Sequence, residues 1–302
     1  MGVRGWGLFA VVSVLWGVPY LFNSIALEDL GPLQIAAGRV VVASLILAPV
    51  LLVRGRWRVF TTHGPKLLVV AVIEVVIPFS LIAAGQQTVP SGTTGVLIAL
   101  EPLFIALLAP LVLGSKRLRV TGWGGLLLGL VGVGTLLGID LHGTGIVLIV
   151  AAALSYGIGA MLMDKWFAET ASITATSAMV LTATPLLVVI ALIAEPLAIP
   201  TPPAIAALLI LGMACTAGGF AAFFALIKHA GPTKAALITH AAPIVALLAG
   251  IIWLDEQLTS LQLLGCALIL TGAALVIYTK PPVSTPEPAS PQALTDVGNQ
   301  DS

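Results

Sequence analysis

Four ionisable side chains lie inside otherwise apolar runs: Arg39, Glu74, Glu101 and His240. Placing a charge inside a bilayer costs roughly 2.5–3.5 kcal/mol on insertion scales, so such residues turn inward and usually serve a site. Arg39 has a substrate carboxylate to hold. A carboxylate in a low-dielectric cavity is able to load and release protons near neutral pH, which makes Glu74 and Glu101 candidate proton-coupling groups. Two acids and one arginine leave one acid uncompensated, which favours a titrating group. A structural reading stands beside this one, a buried ion pair that locks neighbouring spans together. Such a pair is weak evidence for stability, because desolvation offsets the attraction. His240 either hydrogen-bonds a backbone carbonyl as a neutral ring, or lines a cavity or relays protons.

Helix geometry at about 1.5 Å per residue puts Arg39 roughly 10 Å and Glu101 about 15 Å below the outer surface. Counted from the inner end, Glu74 lies about 18 Å deep, so a guanidinium can reach either carboxylate. Trp16, Tyr20 and Asn23 are spaced i, i+4 and i+7 and share one helical face. Trp16 is too deep for an interfacial belt residue, so this face looks into a cavity or a helix contact. Tyr156 occupies the matching place in the second half of the chain. The candidate substrate-binding residues are therefore Trp16, Tyr20, Arg39, Tyr156 and His240.

The elements that must position them are membrane helices. Of 302 residues 59% are hydrophobic and only 9% charged, with mean hydropathy +1.11. A soluble domain carries roughly 25% charged residues, so the bulk of this chain must face lipid. A net charge of zero argues against nucleic acid as a partner. Ten segments have the roughly 20 apolar residues that cross a bilayer. They run over 6–26, 32–53, 66–84, 91–113, 121–138, 145–167, 171–193, 203–227, 233–254 and 261–278. The N-terminal run continues past signal-peptide length without an A-x-A-like cleavage site, and is expected to be a retained span.

Charge placement orients the spans. The chain has 13 Lys and Arg residues, and all but the intramembrane Arg39 fall on one side when the N-terminus is placed inside. The opposite loops carry Glu28, Asp29, Asp140, Glu195, Asp255 and Glu256 and no Lys or Arg. This is the split that the positive-inside rule requires, and it places both termini in the cytoplasm of an inner or plasma membrane.

Two stretches are versions of each other, EPLFIALLAPLVLGSKRLRVTGWGGLLLGLVGVG from Glu101 and APIVALLAGIIWLDEQLTSLQLLGCALILTGAA from Ala242. Pro102 falls on Pro243, Gly125 on Gly265 and Gly132 on Gly272; near an offset of 140, Trp16-Gly17 falls on Tyr156-Gly157. Five spans per copy is an odd number, so the second copy enters the membrane inverted, with the working site between the copies. The expected fold is all-α: ten transmembrane helices in two inverted repeats, 5–138 and 144–279, around a central cavity. The tail 280–302 is Pro-rich and polar and is expected to be disordered.

Other features exclude chemistry. Cys215 and Cys266 sit in apolar runs and read as small core hydrophobes. The four histidines, His63, His142, His229 and His240, have no metal-ligand spacing, and no G-x-x-x-x-G-K-[ST] loop is present. No metal, cofactor or catalytic activity is expected. Gly125 and Gly129 form a GxxxG that serves packing in a monomer or the interface of a weak homodimer. Pro19, Pro102, Pro185 and Pro243 can kink their spans, the repeat-related Pro102 and Pro243 as a matched pair.

LWGVPYLFNSIALEDLGPLQIAAGRVVVASLIL resembles the opening of the EamA repeat of the drug/metabolite transporter superfamily. The likeness continues through ALEPLFIALLAPLVLG and GPTKAALITHAAPIVALLAGIIWLDEQLTSLQLLGCALILTGAA and covers nearly everything from residue 5 to 279. Trp16, Arg39, Pro102, Pro243 and Glu256 match the family pattern. Ser115 replaces the acid that Glu256 keeps, Met179 stands near where a second Arg39 would fall, and Glu74 and Glu101 lie outside the pattern. The resemblance implies a ten-helix inverted-repeat fold and export of small metabolites such as amino acids, or of drugs, with proton exchange often invoked. An importer of the same fold, a lipid-carrier flippase and an intramembrane enzyme are the alternatives.

Overall fold

The computed structural model describes residues 2–114, 120–137 and 143–279. Ser115, Lys116, Arg117, Arg119, Asp140, His142, Lys280 and the tail lie outside the described residues. The described chain is helical, with no strand among those residues. Among the described residues, eight helices are long and apolar enough to cross a membrane: α1 (Val3–Leu27), α2 (Pro32–Leu52), α3 (Arg56–Gly85), α4 (Ser91–Val112), α6 (Thr144–Phe167), α7 (Ser172–Ala194), α8 (Pro202–Ala230) and α10 (Ser260–Ile277). Two apolar helices are shorter, α5 (Val120–Leu136) and α9 (Ile238–Leu254). Each of the ten expected segments overlaps one of these helices, but α5 and α9 are shorter than the eight that could span a membrane. The expected ninth span is divided, because a four-residue turn, Pro232–Ala235, precedes α9 and is separated from it. The expected third span starts earlier, and bends at His63 (φ −130, ψ 17), two residues before Pro65.

Several long helices are interrupted near their middles. α1 breaks between Gly17 and Pro19, and α4 between Ile98 and Glu101. α3 and α8 each contain a π-helical segment, Val72–Val76 and Ile210–Gly218. Such segments insert a residue into the ladder, free carbonyls and re-aim side chains, and they cluster at functional sites. Pro102 opens the second segment of α4, whereas Pro243 lies inside α9, so the repeat-related prolines stand at different places in their helices.

The packing has an internal logic. α5 lies along α10, α2 along α7, and the first half of α4 along α9. α1 packs on α8 and α9, and α6 packs on α3 and α4. Adding or subtracting five maps this set of partners onto itself. α5 and α10 meet through glycines: a Cβ at Gly125 would lie 2.6 Å from the Gly272 carbonyl, and one at Gly132 would lie 2.8 Å from that of Gly265. Gly125, Gly129 and Gly132 of α5 are therefore used inside the chain, whereas Gly124 and Gly134 face open space. The side chains left outside are apolar, as with Leu45 and Ile193, 73% and 82% exposed, which suits a surface solvated by lipid.

Three acids hold one end of the bundle together. Glu195, after α7, accepts the Leu33 and Gln34 N–H groups at the start of α2, both at 3.0 Å. Glu256, after α9, accepts those of Ser91 and Gly92 at the start of α4, at 2.5 and 3.0 Å. Asp29, after α1, accepts the Thr201 N–H at 3.3 Å and the Thr201 hydroxyl, at the start of α8. Each satisfies orphan donors at a helix N-terminus, where the helix dipole also favours negative charge. At the opposite end Lys165 Nζ donates to the Val112 carbonyl at 2.9 Å, joining α6 to α4.

Candidate functional site

Arg39 projects from α2 between the π-helical segment of α8 and Phe79 of α3. Its Nε donates to Thr216 Oγ1 at 2.8 Å, and its guanidinium carbon lies 4.0 Å from the centroid of the Phe79 ring. No carboxylate among the described residues pairs with it, so the buried ion pair considered from the sequence does not form. α8 approaches this closely because Gly212 faces α2, where a Cβ would sit 2.7 Å from the Arg39 carbonyl.

Glu74 belongs to the π-helical segment of α3. That segment is supported from α6, where Ser155 Oγ donates to the Ile73 carbonyl at 2.5 Å. The carboxylate lies against Gly159, whose missing side chain leaves the space it fills. Its Oε2 is buried and has no hydrogen-bond partner. Glu101 opens the second segment of α4, where the break in the helix exposes backbone N–H groups that favour an acid. Gly157 faces it, with a would-be Cβ 3.4 Å from the Glu101 carbonyl. One short stretch of α6, Tyr156 to Gly159, thus meets the Glu74 carboxylate and the backbone at Glu101.

Tyr156 is within electrostatic range of both acids and of Arg39 and Tyr20, and its ring meets Phe79 edge-on at 6.5 Å. Tyr20 is within range of Arg39 and Glu101, and packs on Gly95 of α4. Five of the seven residues singled out from sequence therefore converge, drawn from α1, α2, α3, α4 and α6. Among the described residues, the Tyr20 and Tyr156 hydroxyls, the Glu101 carboxylate and the two Arg39 Nη nitrogens have no hydrogen-bond partner.

The other two residues flank this group. Trp16 packs on α8, with ring centroids 6.0 Å from Phe220 and 4.6 Å from Phe223, and its Nε1 lies over Gly219. His240 sits on α9 between Ile238 and Ala242, which share a packing cluster with Trp16; its Nδ1 is 3.3 Å from Thr239 Oγ1. The face shared by Trp16, Tyr20 and Asn23 is thus divided between both expected roles. Asn23 donates to Gln86 Oε1 at 3.0 Å, and Gln86 donates to the Tyr20 carbonyl at 2.9 Å, tying α1 to α3. A cavity of about 340 Å³ opens beside this pair, lined by Ser24, Glu28 and Gln87 among others.

Phe79, Ser155, Thr216 and Gln86 escape a reading of sequence alone. A hydroxyl or an aromatic ring in an apolar helix commonly bonds its own backbone or packs, and their partners lie on helices remote in the chain. Only the density of glycine around Thr216 (GMACTAGG) hints at a close approach there.

Residues 4–138 and again 143–278 match the EamA-like transporter family. The chain belongs to that family. It is similar to the uncharacterized transporter YvbV of Bacillus subtilis (strain 168), 27% identical over 277 residues that cover 89% of this chain and 90% of that one. It is 26% identical over 288 residues to the uncharacterized inner membrane transporter YedA of Escherichia coli (strain K12), covering 91% and 90%. A probable amino-acid metabolite efflux pump of the same organism is 24% identical over 290 residues, covering 90% and 94%. A solved crystal structure superposes with a TM-score of 0.65 at 20% identity, over 89% of this chain and 95% of that one, and so shares the fold. This EamA-like protein is a multi-pass membrane transporter.

Proposed function

We propose that this EamA-like protein is a secondary transporter that exports a small organic solute (an amino acid, a related metabolite or a drug) by alternating access. The site lies between two inverted five-helix repeats, 5–138 and 144–279, with both termini in the cytoplasm of the inner membrane. The observation that carries the reading is the convergence of unpartnered polar groups from five helices at mid-span. One of these atoms, Glu74 Oε2, is buried without a partner; buried polar groups are otherwise hydrogen-bonded, so such a group is held for something that arrives and leaves. Arg39 offers its Nη edge to a carboxylate, Tyr20 and Tyr156 face the solute, and Trp16 and His240 wall the α8–α9 side. Glu74 and Glu101 exchange a proton for the solute. The self-mapping set of helix partners supports the inverted repeat, and the efflux pump among the relatives supports export.

The experiment is efflux from liposomes against an imposed pH gradient, comparing wild type with Glu74→Gln and Glu101→Gln. Coupling through these residues predicts a flattened pH dependence in at least one variant. If neither variant alters it, they do not carry the proton. Resistance to a panel of toxic amino-acid analogues and drugs on overexpression identifies the solute.

A further inference from the structure

Thr216 is 1% exposed and sits in the π-helical segment of α8, far in sequence from every residue of the site. Its hydroxyl has two partners. It donates to the Leu211 carbonyl, five residues back, at 2.7 Å, and it accepts from Arg39 Nε at 2.8 Å. The single hydroxyl hydrogen is committed to Leu211, so only lone pairs face the arginine and the chain of bonds runs one way. The Leu211 carbonyl belongs to the π-helical segment, so Arg39 is tied to the irregular part of α8.

The guanidinium is held in two independent ways. Thr216 takes its Nε edge and Phe79, from α3, covers one face, the guanidinium carbon standing 4.0 Å from the ring centroid. Together they limit both rotation of the plane and swing of the side chain. The Nη edge is left with no acceptor among the described residues, and two parallel N–H groups on that edge match a carboxylate bidentately.

We propose that Thr216 is a positioning residue, which aims the Nη edge of Arg39 so that the transporter selects solutes bearing a carboxylate. This inference rests on the proposed role of Arg39 in solute binding. Thr216→Val keeps the shape but removes both bonds; Thr216→Ser keeps both.

The test uses the full chain in nanodiscs with ¹⁵N-labelled arginine, Arg39→Lys identifying the Arg39 signal. Wild type and Thr216→Ser are expected to show a protected Arg39 Nε–H, whereas in Thr216→Val its exchange is faster by about tenfold, the loss of one charge-assisted bond. In liposomes supplied with a panel of amino acids and their methyl esters, Thr216→Val is expected to raise KM for the acids about tenfold. The maximal rate and the flux of the esters stay as in wild type, and Thr216→Ser restores KM. Unchanged Nε–H exchange in Thr216→Val overturns the inference, as does an acid KM that does not move when exchange does. A wild-type protein that moves none of the panel counts against the transport reading, and the Nε–H exchange rate then decides the positioning by itself.

Discussion

Glu195 and Glu256 each give both carboxylate oxygens to backbone N–H groups of a remote helix, whereas Glu74 and Glu101 receive no hydrogen bond from any described residue. The same side chain stands in opposite circumstances at the end of the bundle and at its middle. At the end, each acid satisfies donors that a helix start leaves orphaned, and the bond count accounts for its presence. At the middle, no described residue offsets the desolvation, and under the proposed function the acids serve the solute or its proton instead. The same contrast holds for the cations: Lys165 caps a carbonyl near a helix end, while Arg39 keeps its Nη edge without a protein acceptor.

The largest test of this contrast is Glu101→Gln. Loss of a buried charge that meets the solute or its proton is expected to cut flux at least about thirtyfold, while thermal unfolding in detergent stays at or above the wild-type midpoint. A variant that unfolds earlier would place Glu101 with the structural acids. Glu256→Ala reverses the pattern: two charge-assisted bonds, one of 2.5 Å, are lost from the start of α4. Stability is expected to fall by about 2–3 kcal/mol, read as a lower unfolding midpoint, with KM of the folded fraction unchanged. Glu195→Ala acts likewise on α2 through two bonds of 3.0 Å, with an expected loss of about 2 kcal/mol. The smallest loss to the fold is expected from Glu74→Gln, which removes no hydrogen bond from a described residue and leaves the unfolding midpoint at or above that of wild type. Its consequence is a flattened dependence of efflux on pH, and a large drop in unfolding midpoint would mean that Glu74 has a structural partner.

Much of the architecture was readable beforehand because a bilayer leaves few solutions. Ten apolar runs, a one-sided distribution of Lys and Arg and the likeness of the segments around Pro102 and Pro243 follow from composition and periodicity. Arg39, Glu74 and Glu101 stood out because charge is costly at mid-span, and Tyr156 because it repeats the place of Trp16. The functions of Glu195 and Glu256 were not readable: an acid in a loop looks solvated, and nothing local shows that it reaches a helix some 160 residues away. The π-helical segments were equally silent, since VIEVV and ILGMACTAG read as ordinary apolar helix.

Sequence by itself determined that this chain must be a bundle of membrane helices carrying an arginine and two acids at depth, because hydrocarbon admits only helical backbone here and prices every charge. Tertiary structure decided the pairing. Register between remote helices depends on where glycines let backbones approach, as at Gly212, Gly157 and Gly159, and on where a π-helical turn rotates a face. That geometry gave Arg39 to Thr216 and Phe79 rather than to either glutamate, and left both acids without a hydrogen bond from any described residue.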